Sequence, residues 1–208
     1  LEQTVLDAAR NLPSTEALAI ADSAQRYYGL KKDAMLRYIR DHGKGLKGKA
    51  KAEWAVEHMN GLSENGGESI ARATMLDCGF AEPHLQVEMP DMIEGHGTMR
   101  VDYYWMLPDG TIVVGELDGY QKLEKKEMLN GRSVERALRD ERIREAHISA
   151  HGVKIMRFTY PDVFDREKFT RLLKSYGIPR SGNGMCPFYA DESGYAYGTA
   201  LGYDTGYW

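Results

Sequence analysis

The chain has 208 residues, enough for one large domain or two small ones, and its 42% hydrophobic and 28% charged residues are typical of a folded globular protein. The formal net charge of -4 excludes the overall basic character of dedicated DNA-binding proteins, so any nucleic-acid surface has to be local. No segment approaches the roughly 18 apolar residues of a membrane helix. Two distant cysteines, Cys78 and Cys186, indicate neither a disulfide framework nor a zinc site, so we expect a cytoplasmic protein without membrane contact.

The N-terminal third predicts four short helices. In LEQTVLDAARNL the apolar residues recur at spacings of three and four until Pro13 stops the pattern, and a second helix begins at Ser14. Two more amphipathic helices are predicted over residues 31–42 and 47–60, before the turn-forming segment LSENGG. We interpret residues 1–62 as a small helical subdomain.

A basic stretch, KKDAMLRYIRDHGKGLKGKAK, covers the third helix and the start of the fourth. Residues 31–51 carry eight Lys or Arg against two Asp, and Lys44, Lys47 and Lys49 lie among glycines. Long basic side chains bind backbone phosphates without reading base sequence, which makes these lysines candidate nucleic-acid contacts. A solvated helix surface explains the same composition, and the sequence leaves both interpretations open.

From Glu68 onward the pattern changes to alternating helices and strands. ESIARATMLDCGF predicts a helix, and HLQVEM, MRVDYYWM and TIVVGELD predict three strands, the last two joined by a tight turn. A helix of about 16 residues from Ser133, the strand GVKIMRFT and a helix over residues 165–176 follow. Consecutive strands can pair antiparallel and the fourth can join by a crossover, so we predict an α/β domain with a mixed sheet over residues 63–180.

Three acidic residues stand where a buried strand favours Val or Ile. Asp102 lies on the second predicted strand, and Glu116 and Asp118 lie at the end of the third. Alternate residues of a strand share a face, and hairpin pairing brings Asp102 level with Glu116, so we expect the three carboxylates to converge. Oxygen ligands of this kind suit Mg²⁺ or Mn²⁺. Acids at a solvent-facing strand end that bind nothing also explain the pattern.

The long helix carries a row of arginines. Arg132, Arg136 and Arg139 recur at spacings of three and four, which places their guanidinium groups along one face. Such a face binds phosphate oxygens, and we treat Arg136 and Arg139 as candidate nucleic-acid contacts. Neighbouring Glu and Asp residues make an exposed helix with internal salt bridges the other interpretation.

A set of phrases within residues 66–172 carries a resemblance to a known group of enzymes. They are GESIARATMLDCGF, LQVEM, RVDYYW, VVGELDG, RALRDERIR and VKIMRFTYPDV. Together they resemble the PD-(D/E)xK nuclease superfamily, and more closely the bacterial domains of unassigned function that are similar to very-short-patch repair endonucleases. The resemblance implies a restriction-endonuclease-like αβββαβ core that hydrolyses nucleic-acid phosphodiesters, chiefly DNA, with Mg²⁺ or Mn²⁺. LEQTVLDAARNLPSTEALAIADSA resembles the helical segment that precedes this domain in actinobacterial antitoxin-like proteins.

The resemblance implies roles for individual residues. Asp102 and Glu116 would be the metal ligands. Glu68 would lie at the edge of the site, where it binds the metal through water or orients Arg72, a further candidate nucleic-acid contact. Gln86 on the first strand is an additional polar candidate, or a strand residue that faces solvent.

Asp118 departs from the superfamily's pattern, because a lysine that polarises the attacking water is expected there. The nearer relatives favour an acid followed by glycine at this point, so we retain Asp118 as a catalytic and metal-binding candidate. Lys122, one turn beyond, would return the missing cation. Two functions follow: a metal-dependent endonuclease, and a non-catalytic module of an antitoxin-like or regulatory system that keeps the nuclease fold to bind DNA or a partner.

The last segment, residues 181–208, is rich in Gly and Tyr and lies outside the resemblance. Its composition predicts a tail without a core of its own. We expect its aromatic residues to pack in an apolar groove or on a second copy of the chain, which would form a homodimer.

Overall fold

The computed structural model describes residues 1–118, 134–180, 189–190 and 196–197. The chain divides into two compact units, Leu1–Glu82 and a second that begins at Pro83. The order of elements confirms the predicted α/β fold class, with helices that precede a mixed sheet. Within the described residues, no helix is both long and apolar enough to cross a membrane.

The first unit packs its helices around small residues. Ala17, Ala21 and Ala24 of the second helix are buried, and because their side chains are short the neighbouring helices approach closely. The larger apolar residues Leu18 and Met35 fill the space between them. The helices of this unit are α1 (Glu2–Asn11), α2 (Ser14–Tyr28), α3 (Lys32–His42), α4 (Lys49–His58) and α5 (Gly66–Asp77).

A buried ion pair connects α2 and α5. Asp22 and Arg72 are 2% and 0% exposed, and the Arg72 guanidinium donates to the two Asp22 carboxylate oxygens at 3.1 and 2.9 Å. Asp22 also accepts hydrogen bonds from the Ser69 hydroxyl at 2.7 Å and from the backbone N–H groups of Asn60 and Gly61 at 2.9 and 3.2 Å. A buried charge is tolerated only when it is paired and hydrogen-bonded, so this network fixes α5 against α2.

The boundary between the units falls later than the predicted end of the helical subdomain at residue 62. Helix α5, which the sequence assigned to residues 63–180, belongs to the first unit, which ends at Glu82. The cause is the contact with α2 through Arg72, which the apolar periodicity of α5 does not reveal.

The second unit is built on one sheet with the strand order β1-β2-β3-β4. The first three strands pair antiparallel and the fourth is parallel to the third, which confirms the predicted meander and crossover. The strands are β1 (His84–Pro90), β2 (Thr98–Met106), β3 (Ile112–Asp118) and β4 (Lys154–Thr159). The remaining elements are α6 (Val134–Ser149), α7 (Tyr160–Phe164), α8 (Arg166–Ser175) and the paired two-residue strands β5 (Tyr189–Ala190) and β6 (Ala196–Tyr197).

Aromatic side chains press against a glycine next to the acidic strand end. The rings of Tyr103 and Trp105 stack with centroids 6.2 Å apart, and Phe158 lies 5.6 Å from Tyr103. A Cβ atom on Gly115 would lie 3.1 Å from both the Trp105 ring and the Tyr103 Cβ. A side chain here would force Trp105 and Tyr103 to shift by a few tenths of an ångström, so this packing favours glycine and holds the backbone next to Glu116.

Helix α6 is anchored to the sheet near its C-terminal end. Ile148 is buried in one cluster with Tyr104 and Val114, and burial raises the pKa of the Tyr104 phenol to about 12. His147 Nδ1 lies 2.8 Å from a carboxylate oxygen of Asp91 in the loop after β1. These contacts hold the preceding turn of α6 at a defined position.

The contacts of Asp162 in α7 predict how the free energy of unfolding depends on pH. Asp162 accepts hydrogen bonds from the Thr159 backbone and hydroxyl at 2.8 and 2.7 Å and lies 2.6 Å from the Lys168 ammonium. The Lys168 ammonium, followed by the Thr159 donors, lowers the pKa of Asp162 from 3.8 to about 2. Because the folded pKa lies below the unfolded one, this stabilisation is complete above about pH 4 and is lost as the pH falls towards 2.

We therefore expect Asp162→Asn to lower the free energy of unfolding at pH 7 by roughly 1 kcal/mol, since solvent around the exposed Lys168 screens the pair. The variant should also lose less stability than the wild type between about pH 4 and pH 2. Urea unfolding at a series of pH values measures both effects. Glu167→Gln, a change at an exposed carboxylate on the same segment, should leave the acid profile as it is. Parallel profiles for Asp162→Asn and the wild type would contradict the assignment.

Candidate functional site

Asp102, in the middle of β2, and Glu116, near the end of β3, lie at neighbouring positions of the two strands. The ladder between these strands ends with the pair Tyr103 and Gly115, so Asp102 and Glu116 occupy the next position on each strand. Asp102 Oδ2 accepts the backbone N–H of Leu117 at 3.1 Å, which holds its side chain against β3. The structure therefore places the two residues predicted as metal ligands at neighbouring positions of adjacent strands, and their role as ligands stays a prediction.

Arg144 of α6 binds both carboxylate oxygens of Glu116. Its two terminal nitrogens donate to Oε2 at 2.7 Å and to Oε1 at 3.0 Å, and one of them also donates to the Arg100 backbone oxygen. Glu116 is only 9% exposed. A bidentate pair of this kind is among the stronger charge-assisted hydrogen bonds in proteins, so the protein itself supplies a cation to Glu116.

Arg157 of β4 lies beside Asp118, the last residue of β3. It is the register partner of Glu116 on β3, and its guanidinium lies 3.6 Å from Asp118 Oδ2 and 3.7 Å from Glu145 Oε2. These separations are those of ion pairs rather than hydrogen bonds. The Asp118 side chain is 58% exposed, so this carboxylate is open to solvent.

The three acids do not form the single metal-binding group that the sequence predicted. Within the parts of the chain that the structure describes, no group of three or more His, Cys, Asp or Glu side chains is arranged to hold a metal ion. Arg144 binds Glu116 and Arg157 lies beside Asp118, so the protein's own cations take the place that a metal ion would have between the acids. Asp102 and Glu116 are the pair that remains adjacent.

Gln86 lies across from Asp102 in a strained conformation. The flanking pairs of β1 with β2, Leu85 with Tyr103 and Val87 with Val101, place it there. Its φ of 54° is in the left-handed region, which costs a residue with a Cβ atom roughly 1 to 2 kcal/mol. Strain of this kind is concentrated at functional sites.

The left-handed conformation of Gln86 predicts that glycine at this position gives a more stable protein than alanine does, the reverse of the usual order in a strand. Alanine normally stabilises a strand more than glycine does, because glycine loses more backbone freedom on folding. At position 86 we expect the free energy of unfolding of Gln86→Gly to be roughly 1 kcal/mol higher than that of Gln86→Ala, because glycine adopts the left-handed conformation without strain. Urea unfolding of both variants measures this difference. The matched pair Glu88→Gly and Glu88→Ala, at an exposed position of the same strand, should show the usual order. An alanine variant that is the more stable at both positions would contradict the prediction.

Glu68 is bound at the start of its own helix. Its carboxylate accepts the Glu64 backbone N–H and the Asn65 side-chain amide, both at 2.6 Å. Asn65 in turn caps α5 by accepting the backbone N–H groups of Gly67 and Glu68. This arrangement gives Glu68 a structural role in the first unit, and its place at the edge of a catalytic site stays a prediction.

Arg72 is not a nucleic-acid contact, and that prediction is wrong. The side chain is fully buried in the first unit, where it binds Asp22, the His58 backbone oxygen at 2.9 Å and the Glu82 carboxylate at 2.6 Å. Its charge is therefore neutralised inside the unit and is not available to a phosphate.

The predicted basic contacts of the first unit lie in the segment between α3 and α4. Lys44 and Lys47 are exposed, while Lys49 begins α4 and pairs with Glu53 at 2.9 Å. Gly48 fixes the segment, because its φ of 82° favours glycine and a Cβ there would collide with the backbone of α1. Lys44 and Lys47 thus keep the exposure that a phosphate contact needs.

The predicted contacts on α6 are partly described. Arg136 and Arg139 are exposed, as a phosphate contact requires. Lys122 and Arg132 lie outside the described residues, as does most of the segment 181–208 that was predicted to form a dimer contact.

Arg144 and Arg157, which lie beside Glu116 and Asp118, were not predicted as site residues from the sequence. Arg157 interrupts the apolar run of Met156 and Phe158, the same signal that identified the acids on β2 and β3. Arg144 lies one turn before the buried Ile148 and so shares its face of the helix. The sequence prediction on this helix considered the exposed arginines earlier in it, Arg136 and Arg139, whose role as phosphate contacts stays a prediction.

Comparisons with known proteins assign no activity. No family model and no solved structure matches the chain. The chain is 32% identical over 104 residues to the uncharacterized proteins MT2308 and Rv2248 from two strains of Mycobacterium tuberculosis. The match covers 49% of this chain and 36% of each relative, so the chain spans about a third of the length of the curated relatives it matches. It is similar to bacterial proteins whose function is not stated.

Proposed function

We propose that the chain is a metal-dependent endonuclease that hydrolyses nucleic-acid phosphodiesters, chiefly in DNA. The observation that carries the proposal is the adjacent pair Asp102 and Glu116 with Arg144 and Arg157 beside it. Carboxylates bind divalent cations and guanidinium groups bind phosphate, so these residue types suit phosphodiester hydrolysis. The resemblance to PD-(D/E)xK nucleases supports the same reaction.

Asp102 and Glu116 would hold Mg²⁺ or Mn²⁺. The chemistry of the donors fits, because both side chains offer carboxylate oxygens and both stand on adjoining strands of one sheet. When bound, such an ion activates water and stabilises the charge that develops on the phosphate.

Asp118 and Arg157 would act on the water and the phosphate. Asp118 stands where the superfamily has a lysine, so it accepts a proton from water rather than polarising water with a positive charge. Arg157 lies 3.6 Å from the Asp118 carboxylate and would bind a phosphate oxygen beside it.

The second candidate is a module that binds DNA or a protein partner without hydrolysis. The bidentate contact of Arg144 with Glu116 favours it, because a carboxylate neutralised by the protein needs no metal ion. The aspartate at position 118 favours it too, since the catalytic lysine of the superfamily is missing.

Cleavage assays separate the two functions. The chain is incubated with single-stranded, duplex and mismatched DNA and with RNA, in Mg²⁺, in Mn²⁺ and in chelator. Hydrolysis that requires the cation supports the endonuclease. Retained DNA binding in chelator, without hydrolysis under any condition, rejects the endonuclease and supports the binding module.

The exposed lysines predict how DNA binding depends on salt. We expect Lys44→Gln with Lys47→Gln to weaken binding and to lower the slope of log affinity against log salt by roughly two counterions, because each lysine displaces about one counterion from DNA. Fluorescence anisotropy at several salt concentrations measures the slope. Lys49→Gln removes a lysine that is paired with Glu53 and should change the slope less. An unchanged slope in the double variant would show that Lys44 and Lys47 belong to a solvated surface and do not contact DNA.

A further inference from the structure

Arg144 binds the Glu116 carboxylate, which a metal ion at this site would need as a ligand. Its guanidinium donates to both oxygens of Glu116, at 2.7 and 3.0 Å. We propose that Arg144 and the divalent cation compete for Glu116, and that the displaced guanidinium then binds a phosphate oxygen of the nucleic acid. The inference rests on the proposed function and adds a phosphate-binding residue to it.

The balance of charge favours such an exchange. Asp102, Glu116, Asp118 and Glu145 bring four negative charges to this part of the sheet, and Arg144 and Arg157 bring two positive charges. A divalent cation that replaced Arg144 on Glu116 would deliver one more positive charge to the same place. The guanidinium that it displaced would then stand beside the cation and be repelled by it, unless an anion came between them. The phosphate of a nucleic acid is an anion of the required charge.

The position of Arg144 allows the movement. The helix is fixed to the sheet by Ile148 and His147, one turn or less beyond Arg144, so the base of the side chain stays in place. The side chain itself is 31% exposed and carries its guanidinium on a flexible stem of methylene groups. A change of side-chain rotamer is therefore enough to carry the guanidinium from Glu116 towards solvent or substrate.

The phosphate geometry suits a released guanidinium. Arginine binds phosphate oxygens with the same planar pair of N–H donors that it now directs at Glu116. In the structure the Arg144 donors bind the Glu116 carboxylate and the Arg100 backbone oxygen, and after the exchange they would bind two oxygens of a phosphate instead. Arg157 stays with Asp118 and Glu145 in both states.

Calorimetric titration with MnCl₂ tests the competition without any cleavage reaction. We expect Arg144→Gln to bind Mn²⁺ at least about tenfold more tightly than the wild type, because the carboxylate no longer has to release a charged hydrogen-bond donor. Arg142→Gln removes the same charge from an exposed position of the same helix and controls for long-range electrostatics, with a change of about twofold at most. Arg144→Lys keeps the charge but loses the planar fork, and should lie between wild type and Arg144→Gln. Circular dichroism shows that each variant is folded, and Arg144→Lys serves if Arg144→Gln is not.

DNA cleavage in Mn²⁺ completes the test. Arg144→Gln should cleave more slowly than the wild type at saturating Mn²⁺, although it binds the metal more tightly. Unchanged Mn²⁺ affinity in both Arg144 variants overturns the competition even if the wild type cleaves DNA, and the proposed function then stands without it. Tighter Mn²⁺ binding by Arg144→Gln with no cleavage by the wild type supports the competition and overturns the endonuclease. Absence of Mn²⁺ binding in every variant overturns the competition.

Discussion

Glu116→Gln is expected to lower the rate of nucleic-acid hydrolysis by at least about 10³-fold, equivalent to about 4 kcal/mol of transition-state stabilisation. The amide cannot supply the negative charge that a divalent cation requires, so the change removes one of the two carboxylates proposed to hold the cation. The variant also loses the charge-assisted contact with Arg144, which costs roughly 1 to 3 kcal/mol of stability. Single-turnover cleavage at saturating protein and cation measures the catalytic effect, and circular dichroism measures the folded fraction.

The matched control for this change is Glu167→Gln. Glu167 is an exposed glutamate on α8, so the substitution removes the same chemical group outside strands β2 and β3. Activity within about twofold of the wild type is expected for this control. A folded Glu116→Gln variant that keeps a tenth or more of the wild-type rate would reject Glu116 as a metal ligand.

Asp22→Ala is expected to destabilise the first unit by about 3 to 5 kcal/mol. The change leaves the buried Arg72 guanidinium without its carboxylate and removes the acceptor of the Ser69 hydroxyl. It also removes the acceptor of the Asn60 and Gly61 backbone N–H groups. Thermal and urea unfolding measure the loss, which approaches the whole stability of an ordinary domain.

Two further variants show whether the effect belongs to the buried network. Asp22→Asn keeps an oxygen that can accept from the Asn60 N–H, so it should cost less than Asp22→Ala. Asp41→Ala removes an exposed aspartate at the end of α3 and should stay within about 0.5 kcal/mol of the wild type. If Asp22→Ala unfolds within about 1 kcal/mol of the wild type, the ion pair does not hold the unit together.

Periodicity predicted most of the secondary structure because apolar burial decides it. The helix from Ser133 appears as Val134–Ser149, and the run TIVVGELD appears as Ile112–Asp118. Periodicity gave no account of the contact between α5 and α2, because Asp22 and Arg72 are charged residues on faces where the pattern expects solvent. Pattern arguments assume that charge lies outside, and a buried ion pair violates that assumption.

The acids of the candidate site were predictable and their partners were not. Asp102 and Glu116 break apolar runs, and hairpin geometry alone places them together. Their cations come from later in the chain: Arg144 depends on how α6 turns its faces towards the sheet, and Arg157 depends on the register of a parallel pair. The apolar run around Arg157 marks this residue but does not show which acid it faces, so the prediction paired the acids with a metal ion and omitted the guanidinium groups.

The parallel neighbour of β3 sets an order for folding. Strands β1 to β3 follow one another closely along the chain, so their hairpins can close early, whereas Glu116 meets its register partner Arg157 only after the crossover returns. Arg144 and Arg157 both follow β3 in the chain, so they reach the acids only when β4 pairs with β3. A folding intermediate with the meander alone would hold Asp102 and Glu116 together without either guanidinium, and their mutual repulsion would slow its formation. Divalent cations in the refolding buffer would then accelerate folding by screening this repulsion, a kinetic effect separate from any role in hydrolysis.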